Sequence, residues 1–246
     1  MTITEKDAYR LLSMLKDAGI RRINFAGGEP TIVQELPNVV SMAHKLGIEV
    51  TLVTNSTGIT KHFISTTNGM ISAIKLSVDS NFEGIERDLG RGNGFHIQNT
   101  LRAASLVRKY GIKVMANTVV TSTNYREDFH HLMSDINPVR WKVFQVLPIY
   151  GENNRYYSAL KITNEQFDEF VARHGDIKSM VPENIEQMTN SYAMIDPEGC
   201  FFQNSEGRYR KSRPIAKVGT VKAFSELKFD LDKYSQRESN ICQSLG

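Results

Sequence analysis

Cysteine is scarce, since the chain of 246 residues contains only Cys200 and Cys242. Two cysteines cannot form the disulfide framework of a small secreted protein, so a cytoplasmic location is expected. They are also too few to hold a zinc ion or an iron–sulfur cluster through cysteine ligands alone. The six histidines show no HExxH or similar spacing, so no residue is predicted to bind a metal.

Long apolar runs and an excess of one charge are also missing. No stretch of about 18 apolar residues is present, and no apolar leader follows Met1, so neither a membrane span nor a secretory signal is predicted. The 30 basic and 27 acidic residues give a net charge of +3, which is too small for a DNA-coating surface. The 40% of hydrophobic residues is enough for one sizeable core.

One segment is basic throughout. No acidic residue occurs from Arg208 to Lys222, where the basic residues are Arg208, Arg210, Lys211, Arg213, Lys217 and Lys222. A solvated loop explains this composition, and so does a site for phosphates, which clustered guanidinium and ammonium groups bind well. Both interpretations stay open.

Helix and strand patterns alternate along the first 147 residues. Strands are predicted at 21–26, 50–54, 71–78, 112–121 and 141–147, and helices after Thr4 and at 33–46, 96–110 and 125–135. Strands separated by helices predict parallel pairing, in a doubly wound sheet or a (β/α) barrel. After Pro148 the pattern predicts one helix from Thr163 to His174, short strands and loops over 191–217, and a polar tail after Asp230.

Four of the predicted strands have one polar face. That face carries Arg22 and Asn24 in the first strand, then Lys75, Ser77 and Asp79, then Met115 and Asn117, then Arg140 and Lys142. A charge inside a filled barrel costs several kcal/mol, but a wet lumen that binds an anion tolerates it. We therefore expect a ligand-holding half-barrel; the alternative is that these side chains face solvent at the strand ends.

The sequence Gly27-Gly28-Glu29-Pro30 directly follows the first predicted strand. The carboxyl ends of strands are where α/β folds place their chemistry, and glycines let a ligand approach the backbone closely. Alone, GGEP is most often a tight turn. Asn55 and Ser77, however, end the next two predicted strands, and the carboxyl ends of parallel strands lie at the same end of the sheet. This arrangement favours a binding site. Neither a dinucleotide-type GxGxxG nor a P-loop motif is present.

Four segments together resemble the viperin-like family of radical S-adenosylmethionine (SAM) nucleotide dehydratases, from about Thr4 to Ala223. They are INFAGGEP (23–30), DLGRG (88–92), NPVRWKVFQ (137–145) and VPENIEQMTNSY (181–192). The resemblance implies an α/β fold, a partial (βα)6 TIM-like barrel without its first strand and cluster loop. It also implies a barrel core over 1–150, with the last barrel element and an irregular extension covering the nucleotide over 151–246, in one continuous domain.

The family's chemistry is implied in the same way. A [4Fe–4S] cluster reductively cleaves SAM, hydrogen is taken from C4′ of the ribose, and the 3′-hydroxyl leaves as water. The expected substrate is CTP, or GTP or UTP, converted to its 3′-deoxy-3′,4′-didehydro form in antiviral defence. A flavodoxin or ferredoxin is the expected reductant.

The matching motifs also imply site residues. The cofactor would be bound by Gly27, Gly28, Glu29, Asn55, Ser77 and Arg91. The nucleotide would be bound by Arg22, Asn24, Asn117, Arg140 and Lys142, with Lys211, Arg213 and Lys217 closing over the triphosphate. Tyr192 would be catalytic, as the source of a hydrogen atom or proton.

Two departures from the family pattern matter. Met115 stands where relatives have a lysine, so the choice among CTP, GTP and UTP stays open. The cluster motif CxxxCxxC, which the resemblance places before the first helix, does not occur in these residues. Three explanations stay open: the sequence is a piece of a longer protein, its start is assigned to an internal methionine, or the protein has lost its cluster.

Other functions are compatible with the sequence. A cluster-free nucleoside-triphosphate-binding protein and a radical SAM enzyme acting on a peptide or sugar are both open. An aldolase-type barrel could use Lys75 or Lys142 as a Schiff base, but that hypothesis leaves GGEP without a role.

Overall fold

A six-stranded parallel sheet dominates the computed structural model, which describes residues 4–236. Its strands lie in chain order: β1 (Arg22–Phe25), β2 (Glu49–Thr54), β3 (Ala73–Ser77), β4 (Lys113–Val120), β5 (Arg140–Gln145) and β6 (Met180–Glu183). An antiparallel sheet follows, made of β7 (Met194–Ile195), β8 (Cys200–Ser205) and β9 (Arg208–Pro214). Cys242 and the end of the predicted polar tail lie outside the described residues.

Helices precede, connect and follow the parallel strands. They are α1 (Glu5–Asp17), α2 (Leu36–Lys45), α3 (Lys61–Thr66), α4 (Glu83–Asp88), α5 (His96–Lys109), α6 (His130–Ile136), α7 (Asn154–Leu160), α8 (Asn164–Arg173), α9 (Ile185–Met188), α10 (Ile215–Val218) and α11 (Thr220–Phe224). Parallel strands alternating with helices are the predicted α/β architecture of a partial (βα)6 barrel. Within residues 4–236, β1 pairs only with β2 and is one edge strand of the sheet.

The hydrophobic core lies between the parallel sheet and its helices. Leu52 on β2, Leu76 on β3 and Trp141 on β5 are fully buried on the helix-facing side. Trp141 stacks on Phe129 with ring centroids 5.6 Å apart, and its indole N–H donates to the Thr118 hydroxyl at 2.8 Å. The opposite side of the same strands is therefore left for polar residues.

The antiparallel sheet packs on α1. Phe201 of β8 and Ile215 of α10 are buried in a second apolar cluster with Leu15 of α1. The Thr220 hydroxyl donates to the Met14 carbonyl at 2.9 Å, which fixes α11 to the same helix. The predicted short strands and loops over 191–217 are confirmed, and the division at residue 150 stays a prediction.

The structure corrects several predicted elements. The helix predicted over 125–135 is wrong in its first half, because α6 begins at His130. There the Asn124 amide oxygen accepts from the Thr121 N–H at 2.7 Å, which closes a turn instead. The sequence patterns also missed α3, α4, α7 and β6. None of the helices between residues 4 and 236 combines the length and the hydropathy of a membrane span.

Candidate cofactor and nucleotide site

The GGEP loop leaves the carboxyl end of β1 in a conformation that requires glycine. Gly27 has φ +92° and Gly28 has φ +52°, a region that other residues rarely adopt. A Cβ built on either residue would meet no atom within 4 Å, so both backbones face open space. The loop can therefore receive a ligand against its main chain.

Glu29 ties this loop to the end of β2. Its Oε1 accepts from the Thr31 N–H at 3.0 Å and the Thr54 hydroxyl at 2.7 Å, and its Oε2 accepts from the Asn55 N–H at 2.6 Å. The predicted cofactor residues Gly27, Gly28, Glu29 and Asn55 thus lie in one connected loop pair. The carboxylate sets the shape of the loop through these bonds.

The end of β3 carries a buried network of charged groups. Arg91 is ion-paired with Asp79, whose other oxygen accepts from the Val119 N–H at 2.8 Å. Glu86 is fully buried and accepts from the N–H groups of Asp79 at 2.7 Å and Ser80 at 2.8 Å. Burial, with the nearby Asp79 carboxylate, raises the pKa of Glu86 to about 8. No sequence pattern had indicated a role for Glu86.

His96 supports the same strand end from α5. Its Nε2 lies 2.7 Å from the Ser77 carbonyl oxygen, and burial lowers the pKa of the ring. The neutral ring therefore donates from Nε2 to Ser77, which fixes the last residue of β3. Two further predicted cofactor residues are thus held near the end of β3, Ser77 by His96 and Arg91 by Asp79.

The strand register groups the predicted nucleotide residues on the polar side of the sheet. Lys75, Met115 and Arg140 are register partners on β3, β4 and β5. Ser77, Asn117 and Lys142 form the next row toward the carboxyl ends. A predicted cofactor residue and two predicted nucleotide residues therefore occupy one row.

Asn24 on β1 is held by its neighbours. Its Oδ1 accepts from the Thr51 hydroxyl at 2.8 Å and from the Lys75 ammonium at 2.9 Å. Thr51 was not predicted as a site residue, and Lys75 was predicted only on the polar strand face and as a Schiff-base lysine of the aldolase alternative. Asn24, Thr51 and Lys75 lie on β1, β2 and β3, and Lys142 lies on the same face of the sheet on β5.

Lys142 and Tyr192 share one carboxylate, that of Glu183. Lys142 and the Tyr192 hydroxyl each donate to Glu183, and Lys142 Nζ lies 3.2 Å from the Tyr192 hydroxyl oxygen. The side chain of Glu183 is 2% exposed and that of Lys142 is 14% exposed. Glu183 was missed because residues 180–183 were not predicted as a strand. Its contacts with Lys142 and Tyr192 bring it together with two predicted site residues.

Four predicted nucleotide residues lie apart from this group. Arg22, at the start of β1, pairs with Glu49 at 2.8 Å and has a half-exposed side chain. On β9, Lys211 pairs with Asp196 at 2.8 Å and Arg213 pairs with Glu226 at 2.6 Å, and exposed Lys217 lies on α10. Nucleotide binding by Arg22 and closure over the triphosphate by the other three residues stay predictions.

Comparison with known proteins identifies the family. The model of the Radical SAM superfamily matches residues 2–136, more than half of the chain. The S-adenosylmethionine-dependent nucleotide dehydratase of Flammeovirga pacifica is 34% identical over 239 residues, covering 96% of this chain and 82% of that protein. This chain belongs to that radical SAM family.

Other relatives carry the same name. One, from Lacinutrix mariniflava, is 34% identical over 241 residues, and the chain spans 50% of its length. Another, named S-adenosylmethionine-dependent nucleotide dehydratase RSAD2, from Oncorhynchus mykiss, is 33% identical over 244 residues, covering 94% of this chain and 70% of that protein. This family membership makes the chain a radical SAM enzyme, a class that uses SAM and an iron–sulfur cluster, and it implies a nucleotide substrate.

Solved structures with the same fold are more distant in sequence. The enzyme anSMEcpe with bound AdoMet superposes with a TM-score of 0.70 at 15% identity, covering 95% of this chain and 73% of that one. SuiB of Streptococcus suis, bound to its precursor peptide SuiA, gives 0.62 at 18% identity, covering 93% of this chain and 57% of that one. At these identities the likeness shows the fold alone.

The residues present fit SAM but not the cluster. Open glycine backbone and the paired Arg91 suit the polar methionine end of SAM, whereas a [4Fe–4S] cluster needs three thiolates. Within residues 4–236 the one cysteine is Cys200, which lies in a group with Asp196 and Glu198. Burial and these carboxylates raise the pKa of Cys200, the opposite of what a thiolate ligand requires.

Proposed function

We propose that this chain binds SAM beside a ribonucleoside triphosphate and is the barrel of a dehydratase. The substrate is CTP, or GTP or UTP, and the product is the 3′-deoxy-3′,4′-didehydro nucleotide, used in antiviral defence. The observation that carries the proposal is the row formed by Ser77, Asn117 and Lys142 on adjacent strands. It would bring a SAM-binding residue next to residues that bind a nucleotide.

Charge and hydrogen-bonding capacity support a nucleotide in this position. Arg140 and Lys142 bring two cations to the polar side of β5, and cations of this kind bind polyphosphates well. The Oδ1 atom of Asn117 is buried and has no hydrogen-bond partner within the described residues. A ligand hydroxyl or amino group would satisfy this acceptor. Ribose and base offer both kinds of donor.

Tyr192 is the proposed catalytic residue. Its hydroxyl donates to Glu183, which also accepts from Lys142, so a proton can be exchanged between the phenol and this carboxylate. In the proposed role, Tyr192 returns a hydrogen atom or proton to the nucleotide, and Glu183 and Lys142 hold its hydroxyl in place.

The cluster and its reductant complete the proposal. Since the 246 residues contain two cysteines, the three cluster ligands are proposed to lie on a segment outside them. Electrons would come from a flavodoxin or ferredoxin in the cytoplasm. Bound SAM would supply the radical chemistry, while the residues described above bind and orient the two ligands.

Binding calorimetry tests the proposal on the chain itself. We expect saturable binding of SAM and of the magnesium complex of CTP, GTP or UTP. Lys142→Ala should weaken nucleotide binding about tenfold or more, because it removes a cation from the lumen. Exposed Lys45 of α2 offers a matched control, and Lys45→Ala should leave the affinity unchanged. Absence of binding heat for every nucleoside triphosphate would refute the proposal.

A second candidate is a nucleotide-binding protein without a cluster, which the cysteine content favours. Expression together with the coding sequence upstream of Met1, followed by anaerobic reconstitution, separates the two. The dehydratase predicts iron–sulfur absorption and release of 5′-deoxyadenosine only when a nucleoside triphosphate is present. The second candidate predicts nucleotide binding with neither signal.

A further inference from the structure

Lys75 is a cation of the polar face that none of the family motifs contains. It lies on β3, two residues before Ser77, and is a register partner of Met115 on β4. Its ammonium group donates to Asn24 Oδ1 at 2.9 Å. The side chain therefore crosses the polar face toward β1 and lies among the proposed nucleotide residues.

The hydrogen bonds at Asn24 fix which way its amide points. Asn24 Oδ1 accepts hydrogen bonds from both Thr51 and Lys75, so the NH2 group of Asn24 points away from these two residues. Within residues 4–236 this NH2 group has no hydrogen-bond partner, and Asn24 is exposed. Asn24 therefore presents its N–H donors beside the Lys75 ammonium group. Such a pair suits a ligand rich in oxygen atoms.

Arg140 lies on the other side of Met115 in the strand register. Lys75, Met115 and Arg140 occupy one row on three successive strands, so Met115 separates the two cations. Adjacent strands lie about 4.8 Å apart, which puts the Lys75 and Arg140 backbones roughly 10 Å from each other. Both side chains are long enough to reach one anion above Met115. An anion with several charged oxygen atoms, such as a polyphosphate, would contact both Lys75 and Arg140.

We propose that Lys75, together with Arg140, binds the phosphate groups of the nucleotide. The inference rests on the proposed function and adds Lys75 to the residues that bind its substrate. It also places the phosphates over the Lys75–Met115–Arg140 row. The ribose then lies toward the row of Ser77, Asn117 and Lys142.

A series of cytidine compounds tests which part of the nucleotide Lys75 contacts. Affinities for CTP, CDP, CMP and cytidine are measured by calorimetry for the wild type and Lys75→Met. We expect the variant to lose about tenfold or more in affinity for CTP, with a loss that shrinks as phosphates are removed and vanishes for cytidine. SAM affinity should not change.

Relocation of the charge provides the matched rescue. The double variant Lys75→Met/Met115→Lys moves the cation to the neighbouring strand in the same row. It should recover most of the lost CTP affinity, and Lys75→Arg should stay within about threefold of the wild type. If Lys75→Met fails to fold, Lys75→Gln removes the charge while keeping an N–H donor for Asn24, and it should show the same loss of CTP affinity.

The other possible results distinguish failure of the inference, of the phosphate assignment and of the proposed function. Unchanged CTP affinity in Lys75→Met, with wild-type binding intact, overturns the inference and leaves the proposed function standing. An equal loss for CTP and cytidine shows that Lys75 acts on the sugar through Asn24, which overturns the phosphate assignment. If the wild type binds no nucleotide, the proposed function fails and the inference fails with it.

Discussion

Gly58 lies directly against Thr31: a Cβ at position 58 would be 2.1 Å from Thr31 Oγ1. Thr31 in turn donates its hydroxyl and its N–H to Glu29. The loop after β2 therefore packs on the GGEP loop through a contact that only glycine permits. This contact links the shape of the proposed SAM site to a residue outside the GGEP motif.

Gly58→Ala should distort the SAM site. The added methyl group would displace Thr31 and its bonds to Glu29, costing about 1–3 kcal/mol of unfolding free energy and about tenfold in SAM affinity. Urea denaturation and calorimetry measure the two effects. Gly84→Ala in α4 is the control, because its Cβ would meet no atom within 4 Å. Unchanged SAM affinity in Gly58→Ala would show that the packing is irrelevant to the cofactor.

Glu183 is expected to be essential to the fold as well as to the site. It is almost fully buried and accepts from both Lys142 and Tyr192. Glu183→Ala leaves the Lys142 ammonium without its carboxylate in a buried position. The expected loss in unfolding free energy is about 3–5 kcal/mol.

The apolar double variant Lys142→Met/Glu183→Leu separates stability from binding. Replacing both members of a buried ion pair is often neutral, so the remaining cost is the lost acceptor of the Tyr192 hydroxyl, about 1–3 kcal/mol of unfolding free energy. Nucleotide binding should nevertheless be lost. A double variant that binds CTP normally would remove Lys142 from the proposed site.

The fold could be predicted where local patterns were strong. Apolar residues of α1 recur at helical spacing, and Thr4 caps that helix by accepting from the Asp7 N–H at 3.2 Å. Alternating residues in β4 predicted which side chains lie on each face of that strand, and their burial alternates accordingly. By contrast, β6 has only four residues and is defined by its pairing with β5. That pairing joins residues about 40 positions apart in the chain, so no local sequence pattern predicts the strand.

The same distinction applies to the site. The GGEP loop and the polar parity of the strands are local, so Gly27, Glu29 and Asn117 could be predicted. Glu183 and Glu86 could not, since each gains its role from residues brought close by folding. The ion pairs of Lys211 and Arg213 also depend on distant carboxylates, which the charge pattern of 208–222 does not reveal.

Glu86 should make stability fall as pH rises. Its pKa is raised from 4.5 to about 8 in the folded protein. Between these values the unfolded chain has released the proton that the folded chain keeps, so the unfolding free energy decreases with rising pH. The full effect across this window is at most about 5 kcal/mol. Below pH 4.5 both states are protonated and the penalty disappears.

Glu86→Gln isolates this effect from other titrating groups. The variant should match the wild type near pH 5 and exceed it in unfolding free energy near pH 8, as measured by urea denaturation at both values. Exposed Glu152 offers the control, and Glu152→Gln should follow the wild type at both pH values. A constant difference between Glu86→Gln and the wild type would contradict the assignment.

Asn117 should show opposite effects on stability and binding. Its buried Oδ1 has no partner within residues 4–236, so Asn117→Ala removes an unsatisfied acceptor and should leave the unfolding free energy unchanged or higher. The same change should weaken nucleotide binding about fivefold or more, because a ligand donor loses its acceptor. Asn124→Ala is the contrast: its NH2 group donates to the Val119 carbonyl at 2.9 Å, so its loss should lower stability. If Asn117→Ala loses stability as Asn124→Ala does, Asn117 is a structural residue. If it instead keeps its stability and loses nucleotide affinity, the fold holds an unsatisfied acceptor for its ligand.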